Sequence, residues 1–344
     1  MKILYAIQGT GNGHLSRAQE VIPALMRRAQ VDVLVSGTQS DVELPFPITY
    51  RFKGFSFVFG KNGGINYWKT IRTNNIIRLI LEIRACKVNE YDLVINDFEP
   101  ISAWASYFNQ RTRCVALSHQ SALLSESVPK PERRSVIGEL ILKYYAPTLI
   151  HYGLHFQRYE QKINLPIIRS AIRQQQIKEK KYYVVYLPSY SDEKIIAVLS
   201  KLSNRIKWRI FSKHTANAYQ IKNFHVKPIG SGQFEKSLAY CRGVICGAGF
   251  ETPAEALYLE KKLLVIPMKG QYEQHYNAAA LKALGIPVLP EFTEANLNEL
   301  KSWLNSKQQL VFDVPDKTQF IIDQIITNFI IATELSNDLF QRIY

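Results

Sequence analysis

The chain has 344 residues, 47% of them hydrophobic, which exceeds the usual size of one compact core and predicts two domains. Basic residues outnumber acidic ones 43 to 29, and the net charge of +14 favours polyanions, nucleotides or an anionic membrane surface without choosing among them. No apolar run reaches the ~18 residues that span a bilayer; the most apolar stretch, 140–154, is broken by Lys143, Pro147 and His151, so an integral membrane protein is excluded. The apolar N-terminal segment is far shorter than the ~7–15 residues of a secretory h-region, which predicts a cytoplasmic chain. Cys86, Cys114, Cys241 and Cys246 lack CxxC or paired-histidine spacing and read as buried reduced thiols, with neither zinc nor disulfides expected.

Lys2–Ile7 reads as a strand, followed by the loop Gln8-Gly9-Thr10-Gly11-Asn12-Gly13-His14 and a helix over Leu15–Ala29. The fold therefore starts as a doubly wound α/β sheet. A dinucleotide fingerprint would need glycine where His14 stands and an acid after the second strand, where Val31–Val35 runs into Ser36, so NAD and FAD are disfavoured. In segment 45–68, Phe55, Phe57 and Phe59 alternate as in a half-buried strand, whereas Gly63-Gly64 with Lys61, Tyr67 and Trp68 reads as an exposed acceptor-side loop. Over 71–87, Ile76, Ile77, Ile80 and Ile83 form one helical stripe with Arg72, Arg78 and Arg84 off it. A core-facing helix is the plainer reading, and a basic amphipathic helix on anionic lipid the sharper one.

Strand Tyr91–Asn96 carries Asp97-Phe98-Glu99-Pro100 to the carboxyl edge of the sheet, where ligands of open α/β folds bind. Asp97 either orients a catalytic group or caps the next helix. Strand Arg113–Leu117 brings Ser118-His119-Gln120-Ser121 to the same edge, and 129–159, with Arg133, Arg134 and Lys143 among aromatic and aliphatic residues, is a second candidate membrane patch. From Leu165 a Gln/Lys-rich run reads as a linker. Tyr182–Leu187 then restarts the strand-loop-helix pattern through Pro188-Ser189-Tyr190-Ser191-Asp192, so the second domain is also Rossmann-like.

The segment 244–281 reads as strand, loop, helix, strand, loop, helix. Gly247, Ala248 and Gly249 let another molecule approach the backbone closely. Thr252, Pro253 and Glu255 read as N-cap, first and third residues of a helix whose amide-rich end welcomes anions. In the next helix Glu273, Gln274 and Asn277 crowd the first turns, and a carboxylate with two amides suits sugar hydroxyls. Thr-x-x-Glu is equally a capping box, in which Glu255 would bond only the backbone of Thr252.

These residues resemble the nucleotide-sugar site of GT-B glycosyltransferases, in particular the lipid II-forming N-acetylglucosaminyltransferase and the UDP-glycosyltransferase superfamily. The resemblance implies two Rossmann-like domains facing across a cleft: an acceptor-side domain over 1–164, a linker over 165–181, a donor domain over 182–316, and a helical tail over 317–344 crossing back to the first domain. It implies that Glu255 holds the ribose hydroxyls and that Ala248, Gly249, Thr252, Glu273, Gln274 and Asn277 complete the donor site. The N-terminal loop, ending in Gly-His before a helix, is similar to that of the same enzymes. This makes His14 the leading candidate base, with Gly11 and Gly13 beside the donor; a histidine that only caps or orients the loop is the alternative.

Similar Gly-x-Gly-His, Asp-Phe-Glu-Pro and Ser-His-Gln motifs in relatives imply acceptor-side roles for Asp97, Glu99, His119 and Gln120, Asp97 also supporting catalysis. Ser189 or Ser191 would contact phosphate, although the Gly-Ser loop usual there is Pro-Ser-Tyr-Ser; Ile229, Gly230 and Phe234 would line the base, unless Phe234 is ordinary packing. Phe329, Ile330, Leu335 and Phe340 are expected to pack the tail.

The implied activity is hexosyl-type transfer from a nucleotide sugar, taken as UDP-linked, to a sugar or lipid-linked acceptor. No cofactor is expected, and the absence of any Asp-x-Asp agrees with metal-independent transfer. An anionic membrane surface on the cytoplasmic side is a further expected partner. The alternatives are a nucleotide-sugar epimerase on the same fold and a non-catalytic lipid- or nucleic-acid-binding protein; nucleic acid is disfavoured because the motifs gather at strand ends rather than along a basic strip.

Overall fold

The computed structural model of the protein describes residues 1–37, 42–55, 70, 72, 74–109, 112–229, 232–307 and 310–343, with the backbone alone over 336–343. The expectations on Phe57, Phe59, Lys61, Gly63-Gly64, Tyr67, Trp68, Gly230 and the Phe340 side chain lie outside what is described.

The first half runs β1 (Lys2–Gln8), α1 (Asn12–Met26), β2 (Gln30–Ser36), β3 (Tyr50–Phe52), α2 (Ile76–Ala85), β4 (Leu93–Asp97), α3 (Pro100–Asn109), β5 (Arg113–Ser118), α4 (His119–Leu123), α5 (Val136–Tyr144), β6 (Ile150–Leu154) and β7 (Ile163–Asn164). Its strands lie in the order β3-β2-β1-β4-β5-β6-β7, all parallel. A parallel sheet buried on both faces needs near-continuous apolar strands, and β1 shows this. Its Ile3, Tyr5 and Ile7 enter one core, and Leu4 and Ala6 the other.

The second half runs α6 (Ser170–Arg173), β8 (Tyr182–Tyr186), α7 (Asp192–Leu199), β9 (Lys207–Ser212), β10 (Tyr219–Ile221), β11 (Phe224–Pro228), α8 (Phe234–Tyr240), β12 (Gly243–Gly247), α9 (Glu251–Tyr258), β13 (Lys262–Ile266), α10 (Tyr272–Ala283), α11 (Leu297–Asn305) and α12 (Thr318–Ile343). The sheet order is β10-β11-β9-β8-β12-β13, parallel except for the antiparallel pair of β10 and β11. Both sheets are Rossmann-like. Strand order reverses between β1 and β4 in one and between β8 and β12 in the other, and such switch points open the crevices where ligands bind.

Three expectations are corrected. The Gln/Lys-rich linker is not loose at its start: Ile167, Ile168 and Ile172 are buried, because the run Pro-Ile-Ile-Arg-Ser-Ala-Ile is more apolar than its continuation. Most of the stripe on α2 does not face a core: Ile76, Ile77 and Ile80 are exposed, while Ile83 packs inward together with Leu79. On α12, Phe329 packs against the core, but Ile330 and Leu335 point outward. That helix is tied to the first domain by polar contacts, Arg27 donating to Gln319 at 2.6 Å and Asn328 to the Tyr152 hydroxyl at 2.7 Å.

Candidate active site

At the first switch point, Ile7 of β1 pairs in register with Asp97 of β4, so the loop after β1 opens beside the Asp97 carboxylate. Helix α1 starts at Asn12, earlier than expected, which puts His14 in its first turn and Arg17 one turn later on the same face. His14 Nδ1 lies 2.9 Å from Asp97 Oδ1. An ionised carboxylate only accepts, so across this contact Nδ1 carries the proton, and in the neutral imidazole Nε2 is then the acceptor. The Gln120 amide, 3.3 Å from Nε2, is a donor and agrees with that tautomer. Asp97 is fully buried; burial favours its neutral form, but Arg17 and His14 outweigh this and hold its carboxyl below the usual range.

Arg17, 1% exposed, is one of the residues that sequence reasoning missed, with Glu251 and Arg169. One guanidinium nitrogen donates to both Asp97 oxygens, at 2.6 and 2.8 Å, and lies 3.1 Å from His14 Nδ1. The other donates to Glu251, the first residue of α9 in the second domain. The signal available was the i, i+3 spacing of His14 and Arg17. Burial pushes the Glu251 carboxyl up to about 7, against the pull of Arg17, with the Glu255 and Asp97 charges adding to the rise. Gly13 is close to this contact: a Cβ on it would sit 3.1 Å from Glu251 Cγ, so the Glu251 side chain would have to shift slightly.

The Asp-Phe-Glu-Pro turn corrects the expectation for Glu99. Its two oxygens accept from the Ile101 and Ser102 amides, both at 2.7 Å, and it is completely buried, so it caps α3 and does not face the cleft. A carboxylate at a helix N-terminus meets otherwise unpaired N–H groups, which draws it inward. Asn96 closes the turn by donating to Glu99 O at 2.6 Å, and Phe98 takes φ 55, an uncommon conformation for a bulky residue. A cavity beside this turn, in the first domain, is lined by Asn96, Phe98, Ser118, Gln120, Leu142 and His151.

In the second domain, α9 begins at Glu251 with Phe250 preceding it and no side-chain cap, so Thr252 is not the N-cap and the capping box is absent. Glu255 instead accepts from Arg169 Nε at 2.5 Å and Nη2 at 3.0 Å, and Arg169 also reaches Glu235 at 3.0 Å. Asn277, fully buried, donates to Ala248 O at 3.1 Å and so braces the small-residue loop. Gln274 accepts from the Met268 amide at 2.9 Å and donates to Gln271 at 2.7 Å. Phe234 packs edge-on against Phe211 and Tyr186, and Ile229, half-buried, adjoins the same core. Ser191 caps α7 by accepting from Lys194, and Ser189 lies in the turn before it. Gly11 and Gly249 have open space where a Cβ would stand.

The two halves meet directly at these residues. His119 Nε2 lies 2.8 Å from Glu273 Oε1, its ring stacked on Phe250 with centroids 4.6 Å apart, and Gln120 donates to Glu273 at 2.8 Å. Burial alone would raise the Glu273 carboxyl, yet His119, with His14 and the Gln120 amide, holds it at about 2. The Gln120 amide thereby spans His14 and Glu273 across the cleft. A second contact lies at α5 and α10, where the Tyr272 hydroxyl donates to Glu139 at 3.0 Å and its ring packs on Gly138.

Two Rossmann-like domains whose switch points face each other across such a cleft define the GT-B class of glycosyltransferases. The chain belongs to glycosyl transferase family 1, whose family model matches residues 1–307. Solved structures with the same fold include a MurG from Acinetobacter baumannii (17% identity, 95% of this chain and 99% of that chain, TM-score 0.56) and a UDP-glucosyltransferase from Polygonum tinctorium capable of glucosylating indoxyl (12%, 95% and 98%, 0.61). The glycotransferase of kitacinnamycin is a third (14%, 99% and 98%, 0.56). A search of curated proteins finds no match.

Proposed function

We propose that this glycosyltransferase moves a hexosyl group from a UDP-linked sugar to an acceptor hydroxyl, with His14 as general base and Asp97 as its orienting partner. The observation that carries the proposal is the His14 to Asp97 contact of 2.9 Å, which leaves His14 Nε2 facing Gln120 and Glu273 across the cleft. The acceptor O–H proton passes to Nε2, the oxygen bonds to the anomeric carbon, and the bond from that carbon to the diphosphate breaks. Charge gathering on the diphosphate is met by the amide end of α9 without a metal. Glu273 and Gln274 would turn from their present partners to the sugar hydroxyls, and Gln120 would yield its place beside Nε2 to the acceptor.

Exposed apolar side chains on α5 (Val136, Ile137, Leu140, Tyr144), next to Arg133, Arg134 and Lys143, favour an acceptor presented at an anionic membrane surface. Among the described residues no helix is long and apolar enough to cross a membrane. The deciding experiment is isothermal calorimetry with a panel of nucleotides and nucleotide sugars, followed by turnover of whichever binds. Binding of uridine diphosphate and release of it from a UDP-sugar only when an acceptor is added support the proposal. No response to any nucleotide sinks it, and sugar conversion without acceptor points to an epimerase.

A further inference from the structure

The base and the donor domain are linked by one side chain. Arg17 is buried at the junction, with Asp97 held by one end of its guanidinium and Glu251 by the other. Asp97 and His14 belong to the first domain and Glu251 to the first turn of α9 in the second, beside the Gly247 to Gly249 loop. Glu251 passes close to Gly13 on its way to Arg17, 3.1 Å from where a Cβ would stand. We infer that Arg17 is a positioning residue that reports the closed cleft to the base: Glu251, arriving with the donor domain, takes up part of the Arg17 charge and so leaves Asp97 free to support a proton on His14.

With the cleft open, Arg17 has Asp97 as its sole carboxylate of this trio and competes with His14 for it. Closure restores the shared arrangement, in which the imidazole is the better proton acceptor. The charged and titratable groups facing His14 are Asp97 from β4, Arg17 from its own helix, Glu251 from α9 and Glu273 from α10, with Tyr5 of β1 against Asp97 and His119 of α4 against Glu273. Among these, Arg17 touches both domains' acids as well as His14.

The proposal rests on His14 acting as the base, but its test needs no substrate. Histidine-labelled full-length protein is titrated by NMR, the His14 signal being assigned by its loss in His14→Gln. Glu251→Gln should lower the His14 midpoint by about half a pH unit or more, and Arg17→Met should raise it by a similar amount, half a unit being the least expected of unit charges several ångströms away even with the screening of bulk water. In the Arg17→Met background the Glu251→Gln shift should fall by at least half, because the message passes through the guanidinium. A purely structural Arg17 would change thermal stability without these opposed shifts. A Glu251→Gln midpoint within experimental error of the parent, or an equal shift with and without Arg17, overturns the proposal; if Arg17→Met fails to fold, Glu251→Gln alone decides by the first criterion. Failure here leaves His14 free to be the base, whereas normal turnover in His14→Ala would remove the base and leave these shifts standing.

Discussion

His14 and Glu255 show how much a residue's neighbours decide. His14→Ala is expected to lower kcat by ~10²–10⁴-fold, the usual contribution of a general base, while donor affinity measured by calorimetry stays near its parent value. Near-normal turnover would make His14 structural and turn attention to His119. Glu255→Ala should cost about 3 kcal/mol in thermal or denaturant unfolding, at the low end for breaking a buried pair because Arg169 keeps Glu235. An unchanged melting temperature with weakened nucleotide binding would instead mean that Glu255 serves the ribose alone. His14 and Asp97 were legible in the sequence because Asp97 ends a strand and His14 closes the glycine loop after another, both at the ligand-binding edge. Arg17, Glu251 and Arg169 were not: an arginine on a helix or in a linker is ordinarily solvated, and only the fold brings these three to buried carboxylates or guanidinium groups.

Helices α5 and α10 meet at a point where a single hydrogen atom separates fit from collision. A Cβ at Gly138 would lie 2.2 Å from the Tyr272 ring, and neither backbone can give that much without parting the helices. Gly138→Ala, which by helix propensity alone would stabilise α5 by up to ~1 kcal/mol, is therefore expected to open the cleft and reduce turnover. Small-angle scattering that shows the parent dimensions together with full activity would refute this. The outer face of α5 gives a separate prediction. Ile137→Glu with Leu140→Glu should weaken binding to anionic vesicles by about tenfold or more, given ~1.5–3 kcal/mol for burying one large apolar side chain, and should leave the melting temperature alone because both residues are exposed. Binding that is the same for neutral vesicles, or indifferent to the double substitution, would dismiss the surface. Periodicity gave the position of α2, and the basic, aromatic run 129–159 held α5 without bounding it, but neither told which side faces water, since an apolar stripe on a helix has the same spacing whether its partner is a core or a bilayer.

For the molecule as a whole, the doubly wound pattern in each half was readable from strand-loop-helix alternation, and the paired donor motifs were enough to imply the class. What no local pattern contains is the contact between halves, because it depends on how two bodies are set against each other. Its pH dependence follows from Glu273. A carboxyl held at about 2, below its ordinary 4.5, adds stability that is fully present above 4.5 and is lost as pH falls through about 2. The melting temperature should fall across that window, and Glu273→Gln should flatten this part of the curve; parallel curves for the two proteins would show that the cleft contact contributes nothing.

The segment joining the halves is held to both of them at consecutive residues. Arg169 grips Glu235 and Glu255 of the second domain, while the Ser170 amide and hydroxyl both donate at 2.7 Å to Glu20 on α1. A strap fastened in this way has no slack to pay out, so the two bodies can turn about it but cannot slide apart. Glu251 stands one helical turn from Glu255, ~6 Å along α9, and a rotation of roughly 20° about that fastening would carry it only about 2 Å. The joint has the geometry of a short lever: a small swing about it would break the Arg17 contact while the far rim of the cleft opened widely.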